Sequence, residues 1–232
     1  MNLAAHFVGA SESCVLVARE CGRGGESPML AVMAIASEAR IERRTRARNA
    51  TRTAILDAAR RVAARDGARN LSLRATAAEA GFAPAALYGY FGNKDELLLA
   101  LAADDLSAIA RAMRAAAEDG LAATPLAGAS AAALSLLQHT ETIVAASAAL
   151  PPKAGTSEPE RLFNGRMIGA LNALAEATGR SAASRDSQLD VVLLAAALTG
   201  LAMLARSGRL EALGFDTPEI ISRLDSRFTE AL

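Results

Sequence analysis

Apolar residues in this 232-residue chain recur every three or four positions, and nowhere do they alternate with polar ones long enough to make a half-buried strand. That periodicity restricts the chain to helices. Apolar residues make up 52% but aromatics only 3%, with no Trp, so small side chains dominate. Many are alanine, the strongest helix former. An all-α fold of one or two domains is expected.

The punctuation of the chain divides it further. Ile55, Ala59, Val62 and Ala63 mark a first helix over 51–66, stopped by Gly67. A short second helix is predicted over 73–80, with Ser72 as N-cap, followed by a Gly81-Phe82-Ala83 turn. Pro84 opens a third helix that is expected to end near Phe91. Asn93 caps the next, with Glu96 three residues on, and its stripe of Leu99, Ala102, Leu106, Ile109 and Met113 reaches about Asp119. One helix is expected through Leu134, Leu137, Thr140, Ile143, Val144 and Ser147, ended by Pro151-Pro152, with a polar loop to Glu160. Phe163, Met167, Ala170, Leu171 and Leu174 line another, closed by Gly179. The last begins at Thr217-Pro218-Glu219 and buries Ile220, Ile221, Leu224 and Phe228.

Between these, 190–206 is apolar nearly all round. Its longest uncharged run, Val191 to Ala205, is interrupted only by Thr199 and falls short of the roughly 20 residues of a membrane span, so it reads as a buried helix. No membrane partner is expected. The N-terminus has no basic region followed by an apolar core, so a secretory signal is not expected and a cytoplasmic protein is.

The formal net charge is zero, yet residues 40–94 hold twelve Arg and Lys against Glu42, Asp57, Asp66 and Glu79, a balance of +8. The remainder carries −8. One end of the chain is built to meet a polyanion. Residues 1–38 read as a disordered tail, or as lying upstream of the true start, since Met29 and Met33 are close by. Arg40, Arg43, Arg44, Arg46, Arg48 and Arg52 then form a basic arm. Cys14 and Cys21 lie in the tail with no His close to them and read as reduced thiols; no metal and no cofactor is expected. His6 and His139 are the only histidines, and neither a Gly-rich phosphate loop nor paired metal-ligand spacing is present, so the sequence does not read as an enzyme.

Four of the eight aromatics, Phe82, Tyr88, Tyr90 and Phe91, fall within ten residues. A small three-helix unit needs bulky anchors, and Phe82, Leu87 and Phe91 are placed to supply them. Tyr88 and Tyr90 cannot all point inward with these, and a phenol hydroxyl can donate to a phosphate. Two helices of about eight residues joined through a glycine turn have the helix-turn-helix layout, whose second helix enters the major groove of DNA.

The stretch from Thr51 to Leu98 resembles the N-terminal domain of TetR-family regulators. The resemblance rests on Ala54-Ile55-Leu56-Asp57-Ala58-Ala59, on the run from Ala80 to Phe91 with its Leu87-Tyr88-Gly89-Tyr90-Phe91 signature, and on Lys94-Asp95-Glu96-Leu97. The C-terminal half is similar only in being helical and of suitable length. The resemblance implies an N-terminal three-helix, homeodomain-like helix-turn-helix domain and a C-terminal helical ligand-binding and dimerisation domain. The divisions expected are 1–47 for a flexible extension with the basic arm, 48–94 for the DNA-binding domain and 95–232 for the rest.

Carried over by position, Ala85, Ala86, Tyr88 and Gly89 would face bases or backbone. Ser72, Tyr90 and Lys94 would touch phosphates, with Arg74 reaching the backbone beside them and Arg43, Arg44 and Arg46 of the arm adding to the grip. The chain departs from the family pattern in having Ala83 where Ser or Thr is usual, Ala86 where a polar residue often begins base contact, and Gly89 in place of His or Arg. With so few hydrogen-bonding side chains, thymine-methyl contacts by Ala, DNA shape and the arm would carry more of the specificity.

The family also implies a palindromic double-stranded operator, a homodimer and a small hydrophobic effector that releases the DNA. Gly200 in the apolar run would let a second helix approach closely, and with the last helix it would make a four-helix dimer seam. Met113, Leu137, His139, Phe163 and Met167 are the candidate lining of an effector pocket. A repressor is the expected role; a constitutive regulator without ligand and a helical interaction protein are the alternatives.

Overall fold

The computed structural model describes residues 28–149, 157–179 and 184–229, with side chains from Ser37 onward. Expectations about residues 1–27, Cys14, Cys21, His6 and Pro151-Pro152 lie outside these residues, whereas 28–38 of the expected tail are described and are helical. The described chain is helical throughout and contains no strand: α1 Pro28–Asp66, α2 Leu73–Ala80, α3 Pro84–Leu87, α4 Lys94–Glu118, α5 Pro125–Leu137, α6 Thr142–Ala149, α7 Glu158–Thr178, α8 Arg185–Arg206, α9 Arg209–Ala212 and α10 Thr217–Thr229. Two compact units divide between Thr53 and Ala54.

In the first unit, α1 begins at Pro28, well before the Thr51 start that the apolar stripe suggested. From Met29 to Thr53 there is neither Gly nor Pro, and Ala, Arg and Glu favour the helix without needing a buried face. Arg46 pairs with Glu42 one turn back at 2.8 Å, and Arg43 Nε donates to the Ala39 carbonyl at 3.2 Å. Residues 38–50 are exposed on every side. The basic arm is therefore a helix, not an extended strand of chain.

The second unit is organised on α4, which packs most extensively against α7 and then against α5 and α6. Its start is locally encoded: the Asn93 side chain accepts from Glu96 N at 2.8 Å, and Asp95 and Glu96 sit where the helix dipole favours acids. Leu97 and Leu101 are fully buried and meet a core that includes Leu126 of α5, Phe163 of α7 and Leu194 and Leu198 of α8. α5 crosses α4 closely at Gly128, where a Cβ would stand 2.4 Å from the Ala116 carbonyl oxygen. α7 starts in a capping box of Ser157 and Glu160 and stops at Gly179 in the left-handed conformation.

Two expectations for this unit need correction. The single helix through 134–147 is broken into α5 and α6 by Gln138–Glu141. Thr140 Oγ1 bonds back to the Leu136 carbonyl at 3.0 Å, while Thr142 Oγ1 is drawn to Asp105 on α4, and α6 begins afresh at Thr142. The apolar run in α8 is not buried all round. Val191, Leu194, Leu198 and Ala202 face the core, whereas Leu189, Val192, Leu193, Ala196, Gly200 and Met203 face outward. By length and composition alone α8 could cross a bilayer; its inner face is packed within the fold against α5 and α7.

Candidate DNA-reading unit

Leu71 and Leu73 enter and open α2 as buried residues, and Ser72 between them turns its hydroxyl to accept from Ala75 N at 3.1 Å. α2 ends at Gly81, whose φ of +73° closes the helix with bonds from its N–H to the Ala77 and Ala78 carbonyls. Phe82 N then donates to Ala77 O at 2.9 Å. The chain reverses here, and the Phe82 ring is carried outward, 37% exposed. This corrects its assignment as a core anchor. Leu87 and Phe91 do fill that role, at 0% and 3% exposure, against Leu71, Leu73 and Ala77.

The second helix of the pair is shorter than Pro84–Phe91. α3 is Pro84–Leu87, and the backbone continues in tighter turns, Gly89 N to Ala86 O at 3.2 Å and Tyr90 N to Leu87 O at 2.9 Å. Gly89 and two flanking tyrosines give little support to further α-helix. What results is a projecting surface: residues 81–86, Tyr88 and Gly89 are exposed, while Leu87 alone points back to the core. Ala85, Ala86, Tyr88 and Gly89 are thus together on the outer side. Tyr90 is half-buried and packs on the core. Ser72 and Arg74 lie at the start of α2, Ser72 partly and Arg74 fully open to solvent. Lys94 opens α4 and donates to the Arg69 carbonyl at 2.5 Å, leaving two ammonium protons for another acceptor.

Not all of the +8 is available to an external polyanion. Glu79 of α2 holds both Arg61 (2.7 Å) and Arg65 (3.1 Å) of α1. The hydrogen bond from Arg61, then that from Arg65, holds the Glu79 carboxyl below its ordinary pKa. Arg60 is taken up by Asp57 at 2.9 Å and by Asp104 and Asp105 of α4 at 2.7 and 3.0 Å. Burial opposes the Arg60 charge, but the hydrogen bond to Asp104 and the charges and bonds of Asp104 and Asp105 outweigh it and raise its pKa. These pairs fix α1 to α2 and α4, a role that sequence reading missed because the partners lie 14–45 residues apart.

The candidate pocket residues do not surround one cavity. Met113 and Phe163 are buried in the core, and Leu137 and Met167 are partly buried against it. Leu137 lines a cleft of about 570 Å³ between α4, α6 and α8. His139 is exposed and lines a different one of about 790 Å³.

A capped eight-residue helix, a left-handed glycine turn and a short projecting helix, set on a larger helical body, define a helix-turn-helix DNA-binding protein. Residues 55–101 match the bacterial regulatory proteins of the tetR family. This segment of the chain is therefore a tetR-type DNA-binding domain. No curated protein matches it in sequence. Its fold is similar to a protein of unknown function from Rhodococcus sp. RHA1, 22% identical with a TM-score of 0.63, over 78% of this chain and 95% of that one. It is also similar to a TetR family transcription regulator from Marinobacter aquaeolei VT8, 21% identical, TM-score 0.55, over 81% and 97%. A third is the transcriptional regulator FadR from Bacillus subtilis in complex with stearoyl-CoA, 19% identical, TM-score 0.54, over 78% and 98%.

Proposed function

We propose that the protein is a cytoplasmic repressor that holds a palindromic operator as a dimer and is released by a small molecule with apolar character. The observation that carries the DNA contact is the outward exposure of Ala85, Ala86, Tyr88 and Gly89 around the buried Leu87. These residues meet bases and backbone in the major groove, Ser72, Tyr90 and Lys94 take phosphates, and Arg74 reaches the backbone beside them. Arg43, Arg44 and Arg46, exposed on the first unit's part of α1, add phosphate contacts.

Two reading units must stand about 34–36 Å apart, or a multiple, to meet successive faces of one duplex. The dimer forms across the outer stripe of α8, with α10 beside it. The stripe from Leu189 to Met203 is apolar, and Ala196 and Gly200 at its middle leave open space for a partner helix. α10 turns Glu219, Ser222, Arg223 and Arg227 outward, so it supplies the polar rim. Release by ligand is supported by the clefts in the C-terminal body and by FadR, a protein of the same fold, having been solved with stearoyl-CoA.

Selection of bound sites from random duplexes tests the reading. Two half-sites related by a dyad, a whole number of helical turns apart, are expected. Enrichment of a single unpaired half-site, or of no sequence, would sink it.

A further inference from the structure

The 790 Å³ cleft lies where α1, the middle of α4 and the α5–α6 connection meet. Three acids line it, and all three are already engaged: Asp104 and Asp105 by Arg60, and Glu141 by Arg206 at 3.2 Å. Arg60 and Arg206 are thereby spent, but three other donors are not. The side chains of Arg111, Gln138 and His139 border the same cleft and make no hydrogen bond or ion pair among the described residues. The unspent polar capacity of the cleft is therefore cationic and hydrogen-donating. Asp104 and Arg111 are seven residues apart, on one face of α4 and about 10 Å along its axis, so an anion at Arg111 stands clear of Asp104, while the Glu141 charge is offset by Arg206. Ala63, Ala108, Ile109 and Leu136 supply apolar wall between the two ends. The volume suits a small-molecule ligand.

We propose that this cleft binds a small organic anion, a carboxylate on a compact apolar body, with the carboxylate held by Arg111, His139 and Gln138 and the body laid against the alanine and Ile109 wall. This deepens, and rests on, the reading that a ligand releases the DNA. The far end of the site is the Arg60 guanidinium, which ties α1 to α4, while Thr142 at the start of α6 holds the other oxygen of Asp105. A ligand seated there touches the contact between the DNA-reading unit and the helical body, and it does so away from the α8 stripe assigned to the dimer.

The test uses the full chain and three naphthalene probes of nearly one shape and different charge: 2-naphthoate, 2-naphthylmethylamine and 2-naphthalenemethanol. The protein has no Trp, so probe fluorescence is read without indole background. Saturable naphthoate binding is expected, at least tenfold tighter than that of the amine or the alcohol. Arg111→Ala combined with His139→Ala should weaken it about tenfold or more with an unchanged melting temperature, whereas Arg166→Ala on α7 should not affect it. Equal binding of all three probes, or full binding to the double variant, overturns the site. Operator affinity measured on the same samples separates the two readings. Naphthoate that binds without loosening DNA overturns release through this cleft and leaves the site standing. DNA released by an apolar compound that does not need Arg111 or His139, with no naphthoate binding, overturns the site alone.

Discussion

Arg60 reaches from α1 to Asp105 on α4 with two nitrogens, Nε at 3.2 Å and Nη2 at 3.0 Å from the same carboxylate oxygen. The other oxygen accepts from Thr142 Oγ1, so one carboxylate, 10% exposed, joins the DNA-reading unit, the central helix and α6. Replacing Asp105 with Ala leaves Arg60 and the Thr142 hydroxyl without their partner. Because Arg60 keeps Asp57 and Asp104 and is open to water on one side, the cost should be about 1–3 kcal/mol, below that of a fully buried pair. A double-mutant cycle with Arg60→Met, read by urea unfolding, should give a coupling of at least about 0.5 kcal/mol; additive losses would mean the contact is idle.

Glu79 links α2 to α1 through Arg61 and Arg65, and its carboxyl is held below the ordinary value by those bonds. A depressed folded-state pKa stabilises above the unfolded value and is lost as pH falls through the folded one. Glu79→Gln should therefore melt lower than the parent at pH 7. The gap should close as pH drops below the ordinary glutamate range of about 4.3. A gap that persists in acid would assign the effect to packing.

Gly128 and Gly165 are both helical and should respond oppositely to alanine. At Gly165 the added Cβ meets nothing within 4 Å, so helix propensity should raise stability by about 0.5–1 kcal/mol. At Gly128 it strikes the Ala116 carbonyl, and overpacking of about 1–3 kcal/mol should cancel or exceed that gain. Thermal melts of the two single variants check the contrast.

The α8 stripe makes a sharp solution prediction. Val192→Glu puts an unpaired carboxylate on each side of the proposed two-fold axis, at about 1–3 kcal/mol apiece, and should weaken the dimer about a hundredfold or more. Gly200→Leu should act similarly by holding the helices apart. Sedimentation velocity reads both, and an unchanged species would move the seam elsewhere.

On the DNA side, each phosphate contact should add about 0.9 to the log–log slope of affinity against salt. Replacing Arg43, Arg44 and Arg46 together by Ala should lower that slope by up to about 2.7 if all three touch phosphate. An unchanged slope would leave the helical arm outside the complex.

What could be read from the sequence was decided within a turn or two of chain. The bounds of α2 were legible in Ser72 and Gly81, and the start of α4 in Asn93 and Glu96, because caps are settled by neighbours three or four residues away. The signature from Leu87 to Phe91 with Lys94 carried the resemblance to the tetR-type domain for the same reason. Tertiary structure alone decided the rest. Phe82 leaves the core where a left-handed Gly81 turns the chain before it, and the helix expected through 134–147 is interrupted just before Thr142, whose hydroxyl is held by Asp105, 37 residues away. The apolar run of α8 looks like buried core in one dimension. Only packing on α5 and α7 shows that half of it is core and half is surface: periodicity marks which residues share a face, and the neighbours decide whether that face is covered.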